Sequence, residues 1–247
     1  MMIAPIIHKM LRREDLQRLV DEIALTDPKE AFPAARQLEA GRVDSLLDSR
    51  VALEAVRGRG GTPAPLPLPL LWYVPVRAAL RERGETDIEL ADYTASLPLA
   101  FLLSQAGNRA VRGEGTLVSW TNAIHSLPRD TVAQAERAAF CGALALWWTG
   151  IFPERVSRRS RGKGMIRAYV DFAASALGLA ARILSTIAPR PAALYSAAAE
   201  RAHVLRDALH EVGRDYLGSD AHTASGRLQR YLARLEPALS NPDHRSP

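Results

Sequence analysis

Cysteine is almost missing from this sequence. Cys141 stands alone, which excludes an intrachain disulfide and the disulfide-stapled scaffolds of small secreted proteins. The compartment it predicts is the cytoplasm. Long hydrophobic runs are missing too. The longest, Ala138 to Phe152, covers fifteen residues, short of the ~20 that a helix needs to cross a bilayer, so no transmembrane segment is expected. Ile3 to Ile7 is interrupted by Pro5 and is too short for the apolar core of a signal peptide. Alternating β-branched clusters are nearly absent while Ala and Leu dominate, which argues against sheet. No Gly-x-x-x-x-Gly-Lys loop, Gly-x-Ser-x-Gly elbow or His-Glu-x-x-His pair occurs. Catalysis therefore has no local signature, and no cofactor is expected. The fold class predicted is all-α, an irregular multi-helix bundle of about seven to nine helices with a proline-rich connector.

What is present centres on Asp130 to Arg167. Asp130 is suited to cap a helix beginning at Thr131. From Ala138 to Phe152 the residues are apolar or Gly apart from one Thr, so this helix should be buried on every side. Trp147 and Trp148 would point about 100° apart and meet different neighbours. They read as core, or as the aromatic wall of a ligand pocket. Phe152-Pro153 ends the helix, because a residue before proline favours an extended backbone.

Beyond Pro153 the character changes. Arg155, Arg158, Arg159, Arg161, Lys163 and Arg167 fall in thirteen residues with no acid among them. The whole chain is formally +5, so everything outside this segment sums to −1. The interleaved Ser157, Ser160, Gly162 and Gly164 predict a solvated loop. Guanidinium forks beside Gly and Ser backbone suit an anion, and these six residues are the candidate partner- or anion-binding set. A solvated charged connector is the plain alternative. With only three lysines in the chain (Lys9, Lys29, Lys163), arginine is the default cation here and its count says less than usual.

Four regions are predicted. Residues 1–61 form an N-terminal helical region, in which Leu16, Leu19, Val20 and Ile23 share one face at helical spacing. Asp27-Pro28 restarts a helix that Phe32-Pro33 disturbs, and a third runs from about Asp44 to Arg57. Residues 62–69 form the connector, with Pro63, Pro65, Pro67 and Pro69 at every second position. Residues 70–235 form the main bundle. In it a helix over Leu70 to Arg83 is kinked at Pro75 and ended by Gly84, and Thr86 with Glu89 opens the next as a capping box. The Gly107 to Pro128 connection carries Trp120, which anchors it to the bundle, and His125, a surface histidine. Helices then run from Arg167 to Ala188, where Pro189 and Pro191 end the first, from Ala192 to Leu217, and from about Ser225 to Leu235. Residues 236–247 form a polar tail, expected to be disordered.

Glu200 and His203 make a Glu-x-x-His pair, the unit that di-iron bundles use twice. A second such pair is missing, so a metal site there is the lesser reading. The polar arc from Glu200 to Arg214 is more simply a solvent face with i to i+4 ion pairs. The runs WWTGIFPERV, LLWYVPVRAAL and LADYTASL, within residues 65–185, resemble a family of uncharacterised bacterial helical proteins. The resemblance implies a helical fold and a bacterial origin, and brings no activity or site residues. The function expected is a non-enzymatic helical protein-binding or scaffold protein that engages a partner through residues 155–167. The alternatives are a nucleic-acid-binding regulator using the same cations on phosphates, and a metal-dependent or phosphate-substrate enzyme.

Overall fold

The Ala- and Leu-rich sequence folds into helices and turns, without strands, throughout the described residues of a computed structural model. Those residues are 5, 7–57, 66–102, 116–159 and 164–217. The elements are α1 (Ile7–Met10), α2 (Arg13–Thr26), α3 (Ala31–Glu39), α4 (Val43–Leu47), α5 (Arg50–Val56), α6 (Leu68–Arg81), α7 (Ile88–Leu102), α8 (Leu117–His125), α9 (Val132–Ile151), α10 (Pro153–Arg159), α11 (Met165–Leu184), α12 (Pro189–Glu200) and α13 (Ala202–Leu217). The protein is an all-α multi-helix bundle. It has more segments than expected because α8 and α10 form where loops were predicted, α1 was not foreseen, and the predicted helices over 44–57 and 192–217 are each divided in two.

α9 is the axis. It packs against α7, α8, α10, α11 and α13, and its residues from Ala138 to Ile151 are buried on all sides except at half-buried Phe140. Two glycines let its neighbours approach. A Cβ on Gly142 would lie 2.9 Å from Leu177 Cγ of α11, and one on Gly150 would lie 2.6 Å from Leu209 Cβ of α13. α12 covers α11, and α6 pairs with α7. The N-terminal helices join the same core. Ile7, Leu19, Leu46 and Val56 belong to one hydrophobic cluster with Tyr73, Trp147 and Leu209. The predicted stripe of Leu16, Leu19, Val20 and Ile23 is buried.

Several helix ends differ from expectation for local reasons. Thr131 rather than Asp130 caps α9, its hydroxyl accepting from Gln134 N at 3.2 Å, while Asp130 adopts φ +55°. Asp87 rather than Thr86 caps α7, accepting from the N–H of Glu89 at 2.8 Å and Leu90 at 3.1 Å. Pro33 and Pro69 sit in the first turns of α3 and α6, where a missing N–H costs no helical bond. The helix therefore begins inside the predicted connector, at Leu68. Gly84 ends the α6 turn at φ +77°, as expected. Pro189 and Pro191 open α12 instead of closing α11, and the long C-terminal helix is divided at Arg201. The basic segment is not a single loop. Proline at the first position and Glu154 in the first turn start α10, which reaches Arg159, and α11 begins two residues before Arg167. The predicted helix near 225–235 and the tail 236–247 lie outside the described residues.

Candidate functional site

Pro153 shapes the end of the bundle that carries the basic segment. Having no N–H, it leaves the carbonyl of Thr149 without its helical donor. Arg206 Nε of α13 bonds that oxygen at 3.2 Å, and His210 Nδ1, as the protonated tautomer, bonds Gly150 O at 3.2 Å. Phe152 and Val156 are buried and seat α10 on the core. Arg155, Arg158 and Arg159 lie along α10, while Arg161 and Lys163 fall outside the described residues. Gly164 caps α11 at φ +109°. Arg167 is 82% exposed, with Asp171 Oδ2 3.8 Å away, an arrangement that leaves its guanidinium largely solvated.

Trp147 and Trp148 are fully buried and meet different partners. Trp147 packs against Phe101 of α7 in a tilted contact and meets Phe152 edge to face, and Trp148 packs against Trp120 of α8 in a tilted contact and meets Tyr169 of α11 edge to face. Trp120 packs on Tyr169 and Phe172 and anchors α8 to the bundle, and His125 is exposed at the end of α8. Glu200 and His203 do not converge on a metal-ligand set. Glu200 ends α12 beside Ser196 and Arg201, and His203 Nε2 faces Asp171 Oδ1 at 3.4 Å. Among the described residues no group of three or more His, Cys, Asp or Glu is arranged to hold a metal ion. The polar arc is partly spent between helices, with Glu211 Oε2 accepting from Arg83 Nη2 at 2.8 Å.

A second polar region appears only in three dimensions. Arg77, alone among apolar neighbours on α6, is 4% exposed. Its Nε and Nη2 grip Asp48 at 2.7 and 2.8 Å, and Nη1 reaches Asp44 at 2.8 Å and Tyr73 Oη at 3.1 Å. Burial alone would lower the Arg77 pKa, but the hydrogen bond it donates to Asp48, the neighbouring Tyr73 oxygen and the bond it donates to Asp44 overcome it, and the value is raised. Burial pushes the Tyr73 phenol up to about 12, so it stays neutral. One helix away, Asp92 Oδ1 accepts from Ile7 N at 2.7 Å and Oδ2 from His8 N at 3.3 Å, holding the start of α1. Burial raises the Asp92 pKa above its usual 3.8, against the lowering effect of those two N–H groups. The sequence signals were a lone Arg in an apolar run and two Asp four residues apart. Nothing local joins them, because Asp44 and Asp48 lie 33 and 29 residues from Arg77.

No helix among the described residues is long and apolar enough to cross a membrane. No family model, no curated protein and no solved structure matches the chain.

Proposed function

We propose that this is a non-enzymatic helical protein that binds an acidic protein partner through the basic segment from Arg155 to Arg167. The observation that carries the reading is the seating of this segment. Its first cations belong to α10, anchored by buried Phe152 and Val156, and its last, Arg167, is exposed on the first turn of α11. Arg155, Arg158 and Arg159 are spaced three and four residues apart, the spacing of one helix face. Cations on a braced support lose less conformational entropy on binding than the same cations on a free loop. The lone, buried Cys141, its thiol pushed up to about 11 by burial, accords with a reducing compartment such as the cytoplasm.

The test compares the protein with an Arg158→Ser/Arg159→Ser/Arg161→Ser variant. The expected result is a protein that co-purifies with the wild type at low salt and is lost from the variant. Anisotropy of labelled DNA and RNA runs beside it. Salt-sensitive binding that the variant loses would transfer the site to nucleic acid. Equal behaviour of the two proteins in both assays would sink the reading.

A further inference from the structure

The end of the bundle opposite the basic segment holds a cleft of about 520 Å³. α11 runs twenty residues, about 30 Å, from the basic segment to the short turn that leads into α12. First-turn residues of α12 form one wall of the cleft and α1 forms another. The volume falls within the range of roughly 300–1,000 Å³ typical of small-molecule sites.

The floor is apolar. Leu194 and Tyr195 of α12 lie in it, 6% and 1% exposed, beside Ile88 of α7. Ile88 is 42% exposed, a large apolar side chain that the fold leaves open to this space. Three carboxylates border the cleft, and each is already engaged. Asp92 takes the N–H groups of Ile7 and His8, Asp44 takes Arg77, and Glu89 takes Arg190 Nε at 3.0 Å. The cations are less committed. Lys9 of α1 has no partner among the described residues. Arg190 of α12 is 79% exposed and gives Glu89 only its Nε, so both terminal nitrogens remain to donate. α1 is held in place by the buried Ile7 side chain as well as by Asp92, which fixes the wall that carries Lys9.

We infer that this cleft binds an amphipathic carboxylic acid, its apolar body on Leu194, Tyr195 and Ile88 and its carboxylate held by Lys9 and Arg190. An apolar floor favours a hydrocarbon or aromatic body, and an ammonium with a guanidinium fork suits one carboxylate. The site is separate from the basic segment, and neither reading depends on the other.

The test is titration calorimetry of the full chain with octanoate, 1-octanol and octylamine. Two variants accompany it. Leu194→Trp fills the floor, and Lys9→Ala/Arg190→Ala removes two exposed charges without touching the core. Octanoate should bind in preference to the other two and should weaken about tenfold or more in the double variant. A folded Leu194→Trp protein should lose it altogether. Octanol binding as tightly as octanoate, a preference for octylamine, an unchanged double variant, or no octanoate binding would each overturn the proposal.

Discussion

Two seams hold the bundle together, and they work by different physics. The first joins α9 to α7, α11 and α13 through tryptophan, phenylalanine and glycine. Its polar bonds, from Arg206 and His210, only complete carbonyls that Pro153 and the helix end leave open. The second joins α1 and α4 to α6 and α7 through Arg77, Asp44, Asp48 and Asp92. An apolar seam gains from every buried area and tolerates no void. A polar seam gains little net energy, but breaking one partner strands the others. The first should therefore set stability, and the second should set which face of the N-terminal helices docks.

The largest expected effect lies in the apolar seam. Trp147→Ala should cost about 4 kcal/mol, read as a lower urea midpoint, because the 0% exposed ring leaves a cavity beside Phe101 and Phe152. A loss under about 1 kcal/mol would mean that α9 is not the axis of the fold. Next comes Arg77→Leu, expected to cost about 2 kcal/mol, because Asp44 and Asp48 lose their buried partner, although Asp44 is half exposed and Asp48 keeps Arg81 at 3.4 Å. Adding Asp44→Asn and Asp48→Asn should recover much of that loss, since the stranded charges go with it. Failure to recover would show that the Arg77 cluster is a packing element rather than an electrostatic one.

Asp92→Asn is the smallest, about 1 kcal/mol at neutral pH, because an amide can accept from Ile7 N but not also from His8 N. Its pH dependence sharpens the comparison. The Asp92 pKa is higher folded than unfolded, so the native state binds the proton more readily. Between the unfolded value and the raised folded value, the native state then loses stability as pH rises. Above that window the contribution is flat. Stability measured against pH should therefore decline more steeply in the wild type than in Asp92→Asn just above the usual carboxylate range, and the two curves should run parallel beyond it. Parallel curves throughout would remove Asp92 from the titrating seam. The cations substituted in the basic segment, and Lys9 and Arg190 at the cleft, belong to neither seam, so those variants should leave the urea midpoint nearly unchanged.

Part of this was legible in the sequence. The unbroken apolar run around Trp147 and Trp148 announced a helix buried on all sides, and the period of Leu16, Leu19, Val20 and Ile23 announced a one-sided stripe. The basic segment was legible as a charge cluster but not as helix. Its Ser and Gly residues suggested a loop, whereas Pro153 and Glu154 gave α10 a start and buried Val156 gave it a seat. The cleft was not legible at all. Its lining comes from Pro5 and from α1, α4, α7 and α12, segments that no sequence motif joins.

The sequence by itself determined that the chain is helical, that its central helix is buried all round, and that this helix stops at Pro153. Those properties depend on neighbours within a few residues, through periodicity, caps and proline. The tertiary structure alone decided which polar atoms meet. Arg206 reaches the Thr149 carbonyl across 57 residues, and Asp92 holds the N–H of Ile7 across 85. Proline's missing donor could be foreseen at position 153, but the arginine that replaces it could not. The choice of partner depends on how closely α9 and α13 approach, and Gly150 against Leu209 sets that distance.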